Sequence, residues 1–327
     1  MQYRPLGKTG WRISEVSLGT WQVGGRWGEP FDQARARQIL NTAIDAGVNF
    51  IDTADVYGDR LSEAVVGEVV RQRDERIYVA TKIGRRLDPH TPEGYNRANL
   101  TRFVDEALTN TDLDCLDLVQ LHCPPTPVYE NGEVFAVLDD LKAAGKIRHY
   151  GVSVETVAEA ERAIQWPGVA TVQIIFNLMR YKPADTFLKA AHAAGVGILA
   201  RVPLASGLLT GKFGADTQFD PGDHRHFNRE GKAFDKGETF SGVPYDLALQ
   251  VVAEIKAVMG DRPLAQAALR WILMFEAVSC VIPGASRPAQ VTDNIAAAEL
   301  APFSPEEMQA LRAIYDRHLR PIIHPQW

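Results

Sequence analysis

The sequence has little cysteine and no long apolar segment. Its 327 residues include three cysteines, Cys115, Cys123 and Cys280, and no C-x-x-C pair. This pattern gives no disulfide framework and no zinc knuckle, and it favours a reducing, cytoplasmic environment. No run of about 18 apolar residues is present, and the stretch from Met1 to Gly10 lacks the apolar region of a signal peptide. We therefore expect a soluble protein with no membrane partner.

An excess of basic residues and a G-x-G-x-x-G motif are also missing. The formal net charge of −6 at pH 7 argues against a general affinity for nucleic acid or anionic membranes. Without a glycine-rich motif that opens a βαβ unit, the usual dinucleotide-binding fold is not predicted. The chain is 46% hydrophobic and 23% charged, which is typical of a globular protein, and no segment reads as a linker. We expect one domain over residues 1–327.

A junction between a helix and a strand recurs three times, at residues 45–51, 143–147 and 193–198. Each copy has Ala-Gly at the end of a helical segment, where glycine suits the left-handed position that ends a helix. Short runs rich in Val, Ile and Leu predict eight strands, with amphipathic helices between them. The predicted strands are 15–20, 49–55, 77–83, 116–122, 149–154, 172–177, 197–203 and 278–284. This order predicts a (β/α)8 barrel, with an open doubly wound sheet as the alternative.

Three segments complete the predicted architecture. Residues 3–13 predict a β-hairpin, turned at Lys8-Thr9-Gly10, that closes the N-terminal floor of the barrel. Residues 210–244 are rich in Gly, Asp and His and have no regular period, which indicates a long functional loop at the C-terminal face. Ser304-Pro305-Glu306-Glu307 is a capping box that predicts the start of a helix.

Polar residues end several predicted strands, where a (β/α)8 barrel carries its reacting groups. Asp52, Lys82 and His122 end consecutive strands, and Tyr57 follows Asp52 by five residues, so barrel closure brings all four together. A phenol can protonate a carbonyl oxygen as hydride arrives, and we expect Lys82 to lower the pKa of that phenol. Asp52 would hold Lys82 charged, and His122 would orient the substrate oxygen. Taken singly, each residue has a structural alternative: an ion pair, a packing tyrosine or a core histidine.

The sequence resembles the aldo-keto reductase superfamily, and bacterial-type members in particular, over nearly its whole length. The matching stretches are Gly7-Lys8-Thr9-Gly10, Leu18-Gly19-Thr20-Trp21, Phe50-Ile51-Asp52-Thr53-Ala54-Asp55-Val56-Tyr57-Gly58, Thr81-Lys82, Leu121-His122, Gly151-Val152-Ser153, residues 203–212 and residues 282–286. The resemblance implies an NADPH-dependent reduction of aldehydes or ketones to alcohols. Tyr57 would be the general acid, in a catalytic tetrad with Asp52, Lys82 and His122. NADH is the alternative cofactor, and a small carbonyl compound is the expected partner.

The resemblance also implies an extended cofactor site across the barrel mouth. Ser153 and Gln173 would hold the nicotinamide carboxamide, and Gly19-Thr20-Trp21 would flank the ribose and the ring. Residues 203–212 would cover the pyrophosphate, and residues 284–294 would hold the adenosine end. The full expected set is Gly19, Thr20, Trp21, Asp52, Ser153, Gln173, Arg201, Val202, Pro203, Leu204, Ser206, Gly207, Leu208, Lys212, Gly284, Ser286, Arg287, Gln290 and Asn294.

This sequence departs from the superfamily pattern around the cofactor. Arg201 stands where an aromatic ring usually stacks on the nicotinamide, and a guanidinium can lie flat against that ring. Because its charge opposes cationic NADP⁺, we expect tighter binding of the reduced cofactor. Near the 2′-phosphate, Gly284 and Gln290 replace cationic residues, and Ser286 and Arg287 would compensate.

Alternatives to a reductase remain at this stage. A nucleotide-sensing binding module with little turnover is one, as the aldo-keto-like β subunits of potassium channels suggest. A metal-dependent hydrolase using His224 and His226 is another, although no metal is expected. Trp21, Trp27 and Phe31 fit either a substrate pocket or packing.

The sequence leaves the substrate and the oligomeric state undefined. An acidic substrate could bind Arg201 or the pair Arg85-Arg86.

Overall fold

Eight parallel strands form the centre of the molecule, and helices cover them on the outside. The structure, a computed structural model, describes residues 1–25 and 30–327. Its strands are β1 (Tyr3–Pro5), β2 (Arg12–Ser14), β3 (Leu18–Gly19), β4 (Phe50–Asp52), β5 (Tyr78–Ile83), β6 (Leu116–His122), β7 (Ile147–Ser153), β8 (Val169–Ile175), β9 (Gly197–Arg201) and β10 (Val278–Val281). The helices are α1 (Gln33–Asp45), α2 (Leu61–Arg71), α3 (Arg97–Thr111), α4 (Gly132–Ala143), α5 (Val157–Ala163), α6 (Phe187–Ala193), α7 (His224–Phe227), α8 (Tyr245–Met259), α9 (Leu264–Leu273), α10 (Pro288–Ile295) and α11 (Pro305–His318).

The parallel sheet closes on itself. Strands β3 to β10 pair in chain order, each with its sequence neighbour. Parallel bridges from Val16 to Val281 and from Gly19 to Gly284 then join the first strand to the last. The amide of Ser17 donates to the carbonyl of Val281 at 2.9 Å across this seam. The predicted (β/α)8 barrel is confirmed, and the open doubly wound sheet is excluded.

Several strands are shorter than predicted, most clearly β4, which ends at Asp52 rather than at residue 55. Contact with β5 nevertheless continues, because the amide of Thr53 donates to the carbonyl of Ala80 at 2.8 Å. The amide of Asp55 also reaches the carbonyl of Lys82, at 3.3 Å. The apolar run at residues 49–55 therefore marks a buried segment. The regular strand pairing within it stops at Asp52, where the backbone turns toward Tyr57.

The N-terminal hairpin closes the floor of the barrel, as predicted. Strands β1 and β2 pair antiparallel, and the turn is a single 3-10 turn over Gly7–Thr9. Leu6 and Ile13 are fully buried and pack against Phe50 and Leu118 inside the barrel. Each such side chain contributes about 2 kcal/mol by leaving water.

Local signals fix the ends of several helices. In α11 the Ser304 hydroxyl accepts from the amide of Glu307 at 3.2 Å, and the Glu307 carboxylate accepts from the amide of Ser304 at 2.7 Å. This confirms the predicted capping box. The glycines of the three helix-to-strand junctions all have positive φ, as expected for left-handed helix ends. None of the described helices combines the length and apolar character needed to cross a membrane.

Candidate active site

Three side chains from neighbouring strands and one from the loop after β4 meet at the C-terminal rim of the barrel. Lys82 Nζ donates to Asp52 Oδ2 at 2.5 Å and to the Tyr57 hydroxyl oxygen at 3.2 Å. The rings of Tyr57 and His122 are edge to face, with centroids 6.1 Å apart. The predicted proximity of these residues, from here on the tetrad, is therefore present in the structure.

Buried amides surround the ion pair between Lys82 and Asp52. Lys82 is 1% exposed and Asp52 is 2% exposed, so neither charge is solvated by bulk water. Asp52 Oδ1 accepts from the side-chain amides of Gln173 at 2.8 Å and of Gln120 at 3.1 Å. Lys82 Nζ also donates to the carbonyl of Thr53 at 3.0 Å. This hydrogen bonding offsets the desolvation that a buried ion pair would otherwise suffer.

The pKa of Tyr57 is raised above its usual value, although Lys82 acts to lower it as expected. Burial of the phenol is the largest cause, and the nearby charge of Asp52 acts in the same direction. Lys82 does favour the phenolate, but its charge is already balanced by Asp52. The pKa of Lys82 is itself raised, because the attraction of Asp52 and Tyr57 outweighs burial. At neutral pH the phenol therefore keeps its proton beside an ammonium group.

His122 is a neutral imidazole at neutral pH. Burial holds its pKa well below the ordinary value, and the positive charges of Arg85, Lys82 and Arg201 lower it further. Its Nδ1 atom is buried without a hydrogen-bond partner among the described residues. A neutral ring has one nitrogen that can donate and one that can accept, so it suits the binding of a polar uncharged group.

A cavity of about 800 Å³ extends from the tetrad across the barrel mouth. Most residues expected at the cofactor line it: Gly19, Thr20, Trp21, Asp52, Ser153, Gln173, Arg201, Val202, Pro203, Leu204, Ser206, Gly207, Lys212, Gly284, Ser286 and Gln290. The cavity thus extends from the end of β4, across the seam between β3 and β10, to the start of α10. Its volume is that of a typical site for a small molecule or a cofactor.

Comparison with known proteins agrees with this geometry. The sequence profile described as "Aldo/keto reductase family" matches residues 15–316. The chain belongs to the aldo/keto reductase family. A Bacillus subtilis protein named as an uncharacterized oxidoreductase is 29% identical, covering 97% of this chain and 99% of that protein. A probable voltage-gated potassium channel β subunit from rice, Oryza sativa subsp. japonica, is also 29% identical, covering 96% of each chain. The solved glycerol dehydrogenase of Gluconobacter oxydans superposes with a TM-score of 0.79 at 28% identity, covering 100% of this chain and 98% of that one.

Aldo-keto reductases generally use NADPH or NADH, and they act on small carbonyl compounds. The cavity fits such a cofactor in size and extent, since it joins the tetrad to the start of α10. Three residues of the expected set do not line it. Leu208 lies in the hydrophobic core, Arg287 is exposed, and Asn294 donates to the carbonyl of Gly284 at 3.4 Å. These three positions belong to segments that border the cavity rather than to its wall.

Some wall residues have protein partners other than those that the family pattern suggests. Gln173, expected at the carboxamide, donates to Asp52. The hydroxyl of Thr20 forms a hydrogen bond of 2.8 Å with that of Ser62. At the expected 2′-phosphate position, Gln290 Oε1 accepts from the Ser286 amide at 2.7 Å and so orders the loop before α10.

Arg201 does not lie free at the cavity wall. Its guanidinium donates to Glu155 at 2.7 Å and to the carbonyl of Val154 at 3.0 Å. The sequence interpretation missed both Glu155 and Glu238, a second carboxylate of the same cavity. Glu155 could have been found, because it follows the end of β7 just as the tetrad residues follow their strands. Glu238 could not, because it belongs to a loop without a regular period.

The weaker sequence signals have structural explanations. His224 is buried, and its Nδ1 atom forms a hydrogen bond of 3.2 Å with the Thr239 hydroxyl. Among the described residues, no cluster with metal-ligand geometry includes His224 or His226. Trp21 lines the cavity, whereas Phe31 packs against the hydrophobic core. Trp27 lies outside the described residues.

Proposed function

We propose that this protein reduces aldehydes or ketones to alcohols with NADPH, and that Tyr57 is the proton donor. The observation that carries the proposal is the position of the Tyr57 hydroxyl, 3.2 Å from Lys82 Nζ at the wall of the large cavity. NADPH, when bound, supplies the hydride that the carbonyl carbon accepts. Most of the residues expected to hold it line the same cavity.

The tetrad would supply the proton and stabilise the charge that remains. Tyr57 transfers its phenolic proton to the carbonyl oxygen, which becomes the hydroxyl group of the product alcohol. The phenolate left behind lies beside the Lys82 ammonium, which stabilises it until solvent returns the proton. Asp52 keeps Lys82 in place through its 2.5 Å contact. His122, as a neutral imidazole, donates a hydrogen bond to the same carbonyl oxygen and fixes its direction.

The direct test is oxidation of NADPH, and of NADH in parallel, against a panel of aldehydes, ketones and sugar phosphates. We expect turnover with NADPH and a lower kcat/KM with NADH. Tyr57→Phe should lower kcat by at least about 100-fold, because it removes the acid. Its affinity for NADPH, measured by fluorescence titration, should stay nearly unchanged.

A matched control removes a phenol far from the cavity. Tyr3 lies in the floor hairpin, and its hydroxyl donates to the carbonyl of Gly47 at 2.8 Å. Tyr3→Phe should retain full activity. Loss of cofactor binding together with activity in Tyr57→Phe would instead give Tyr57 a structural role.

A second candidate is a nucleotide-binding module with little turnover. The observation that favours it is the 29% identity to a protein named as a probable potassium channel β subunit. The two functions predict the same cofactor affinity, so binding alone does not separate them. Tight NADPH binding without oxidation of NADPH by any member of the carbonyl panel would favour the second candidate.

A further inference from the structure

Four charged side chains of alternating sign form a closed group beside His122. Arg85 Nη2 donates to Glu238 at 2.7 Å and to Glu155 at 3.2 Å. Arg201 Nη2 donates to Glu155 at 2.7 Å, and Arg201 Nη1 lies 3.6 Å from Glu238. These four residues, Arg85, Glu155, Arg201 and Glu238, are called the charge ring.

The charge ring spans the cavity mouth from opposite sides of the barrel. Arg85 follows β5, whereas Arg201 ends β9 and Glu238 lies in the long loop beyond it. Strands β5 and β9 are four places apart in the eight-stranded order, so they face each other across the mouth. All four side chains line the same cavity as Tyr57 and His122. The charges of Arg85 and Arg201 act on His122, and that of Glu238 acts on Tyr57, so the charge ring lies on the side of the cavity where a carbonyl held at Tyr57 would place its remaining atoms.

The charge ring is still open to a ligand. Arg85, Glu155 and Glu238 keep 15 to 22% of their side-chain surface exposed, and all three line the cavity. A ligand in the cavity would thus meet donors and acceptors side by side.

The ring carries two positive and two negative groups. Burial alone would raise the pKa of Glu238, but the charges of Arg85 and Arg201 lower it to about 2. Burial, together with the charge of Glu238, raises the pKa of Glu155 above its ordinary value despite the same cations. Each carboxylate is ion-paired with both arginines, so with both carboxylates ionised the charge ring has no net charge.

The charge ring discriminates between three kinds of substrate. An apolar chain would cover charged groups without giving them hydrogen bonds, which is unfavourable. An anionic group needs an excess of positive charge, and the two carboxylates already occupy both arginines. Arg86, the other candidate for an acidic substrate, is bound to Asp59 at 2.6 Å. A hydroxyl group both donates and accepts, so it can bond a glutamate and an arginine at once.

We propose that the substrate is a neutral hydroxylated aldehyde or ketone, whose hydroxyl groups donate to Glu238 or Glu155 and accept from Arg85. This assignment rests on the proposed carbonyl reduction. The charge ring then determines the substrate specificity of the site. Its carboxylates accept hydrogen bonds from the substrate hydroxyl groups, and Arg85 donates to them.

Three aldehydes test the assignment at pH 8 with NADPH. Glyceraldehyde is neutral and hydroxylated, pentanal is an apolar aldehyde with the same number of non-hydrogen atoms, and glyceraldehyde 3-phosphate is anionic. We expect the wild-type kcat/KM for glyceraldehyde to exceed that for pentanal by about tenfold or more, the effect of one or two hydrogen bonds to charged groups.

Two variants shift the ring charge in opposite directions. Glu238→Gln leaves an excess positive charge, and Arg85→Gln leaves an excess negative charge. Both should lower kcat/KM for glyceraldehyde about tenfold. Glu238→Gln should raise the ratio of glyceraldehyde 3-phosphate to glyceraldehyde activity, and Arg85→Gln should lower it. General damage to the loop would move that ratio the same way in both variants. The matched control is Glu68→Gln, which removes a surface ion pair, 2.8 Å long, between Glu68 and Arg37. It should change neither kcat/KM for glyceraldehyde nor the ratio of glyceraldehyde 3-phosphate to glyceraldehyde activity.

The outcomes separate this assignment from the proposed function. Wild-type enzyme that turns over pentanal as well as glyceraldehyde would overturn the assignment and leave carbonyl reduction standing. A phosphate-to-neutral ratio that moves in the same direction in both ring variants would do the same. Absence of turnover with all three aldehydes, despite bound NADPH, would overturn both.

Discussion

The hydroxyl of Tyr57 lies 3.2 Å from Lys82 Nζ, yet the pKa of this phenol is above its ordinary value. A cation at that distance lowers a phenol pKa in water, but here the cation is shared with Asp52 and the ring is buried. The phenol of Tyr57 therefore keeps its proton at neutral pH, as the proposed role of proton donor requires. This relationship sets the expected pH behaviour of the enzyme.

We expect kcat for reduction to be constant from about pH 6 to pH 9. The raised pKa of Tyr57 keeps the donor protonated to higher pH than a free phenol, and the lowered pKa of His122 keeps the imidazole neutral. Glu155, whose pKa is raised by burial, should affect KM through substrate binding. The measurement is a pH profile at saturating substrate, repeated in Glu155→Gln. A fall of kcat near pH 6.5 in both proteins would mean that His122 titrates during turnover.

The Arg201–Glu155 pair makes a prediction about the redox state of the bound cofactor. The positive charge of Arg201 should disfavour NADP⁺ relative to NADPH, and Glu155 partly offsets it. We expect a lower dissociation constant for NADPH in the wild type. In Glu155→Gln the dissociation constant of NADP⁺ divided by that of NADPH should increase by about threefold, roughly 0.6 kcal/mol. Fluorescence titration with each form measures this, and equal constants in both proteins would refute it.

Asp55 should make the protein less stable as pH rises. It is 4% exposed, and both carboxylate oxygens lack a hydrogen-bond partner among the described residues. Burial, together with the charge of Glu63, raises its pKa to about 7. The folded state thus retains a proton that the unfolded chain loses near pH 4, so stability falls between those values and stays lower above pH 7. Asp55→Asn should increase the free energy of unfolding at pH 8 by on the order of 2 kcal/mol, and little at pH 5.

Urea unfolding at both pH values checks the Asp55 prediction. Asp114→Asn, at an exposed position, is the control and should show no such difference. A variant at Asp55 that is less stable than the wild type at pH 8 would show that the ionised carboxylate has a favourable partner.

Gly67 should not tolerate a methyl group. It lies in α2, where an added Cβ would come 1.9 Å from the backbone carbonyl oxygen of Thr111 at the end of α3. Alanine normally stabilises a helix relative to glycine by up to about 1 kcal/mol. Here we expect Gly67→Ala to destabilise by about 2 to 3 kcal/mol, because the two helices must separate. The denaturation midpoint measures this. Gly214→Ala, where a Cβ meets nothing within 4 Å, should be nearly neutral.

The parts of the site that follow strand order were accessible from the sequence. Asp52, Lys82 and His122 end consecutive strands, and barrel geometry alone places such residues side by side. The pKa of Tyr57 was not accessible in this way, because it depends on how deeply the loop after β4 buries the phenol. The pairing of Arg85 with Glu238 was hidden for a similar reason. It depends on the path of a loop across the mouth, and no local pattern encodes that path.

Closure of the barrel between β3 and β10 has a consequence for biosynthesis. A nascent chain that has emerged only as far as β6 already contains the whole tetrad, but its sheet has two open edges. Open sheet edges can pair with other chains, and here they persist until β10 is made. Tyr57 and the other tetrad residues are thus synthesised before the residues that line the far wall of the cavity, and the site is complete only when the last strand pairs with the first.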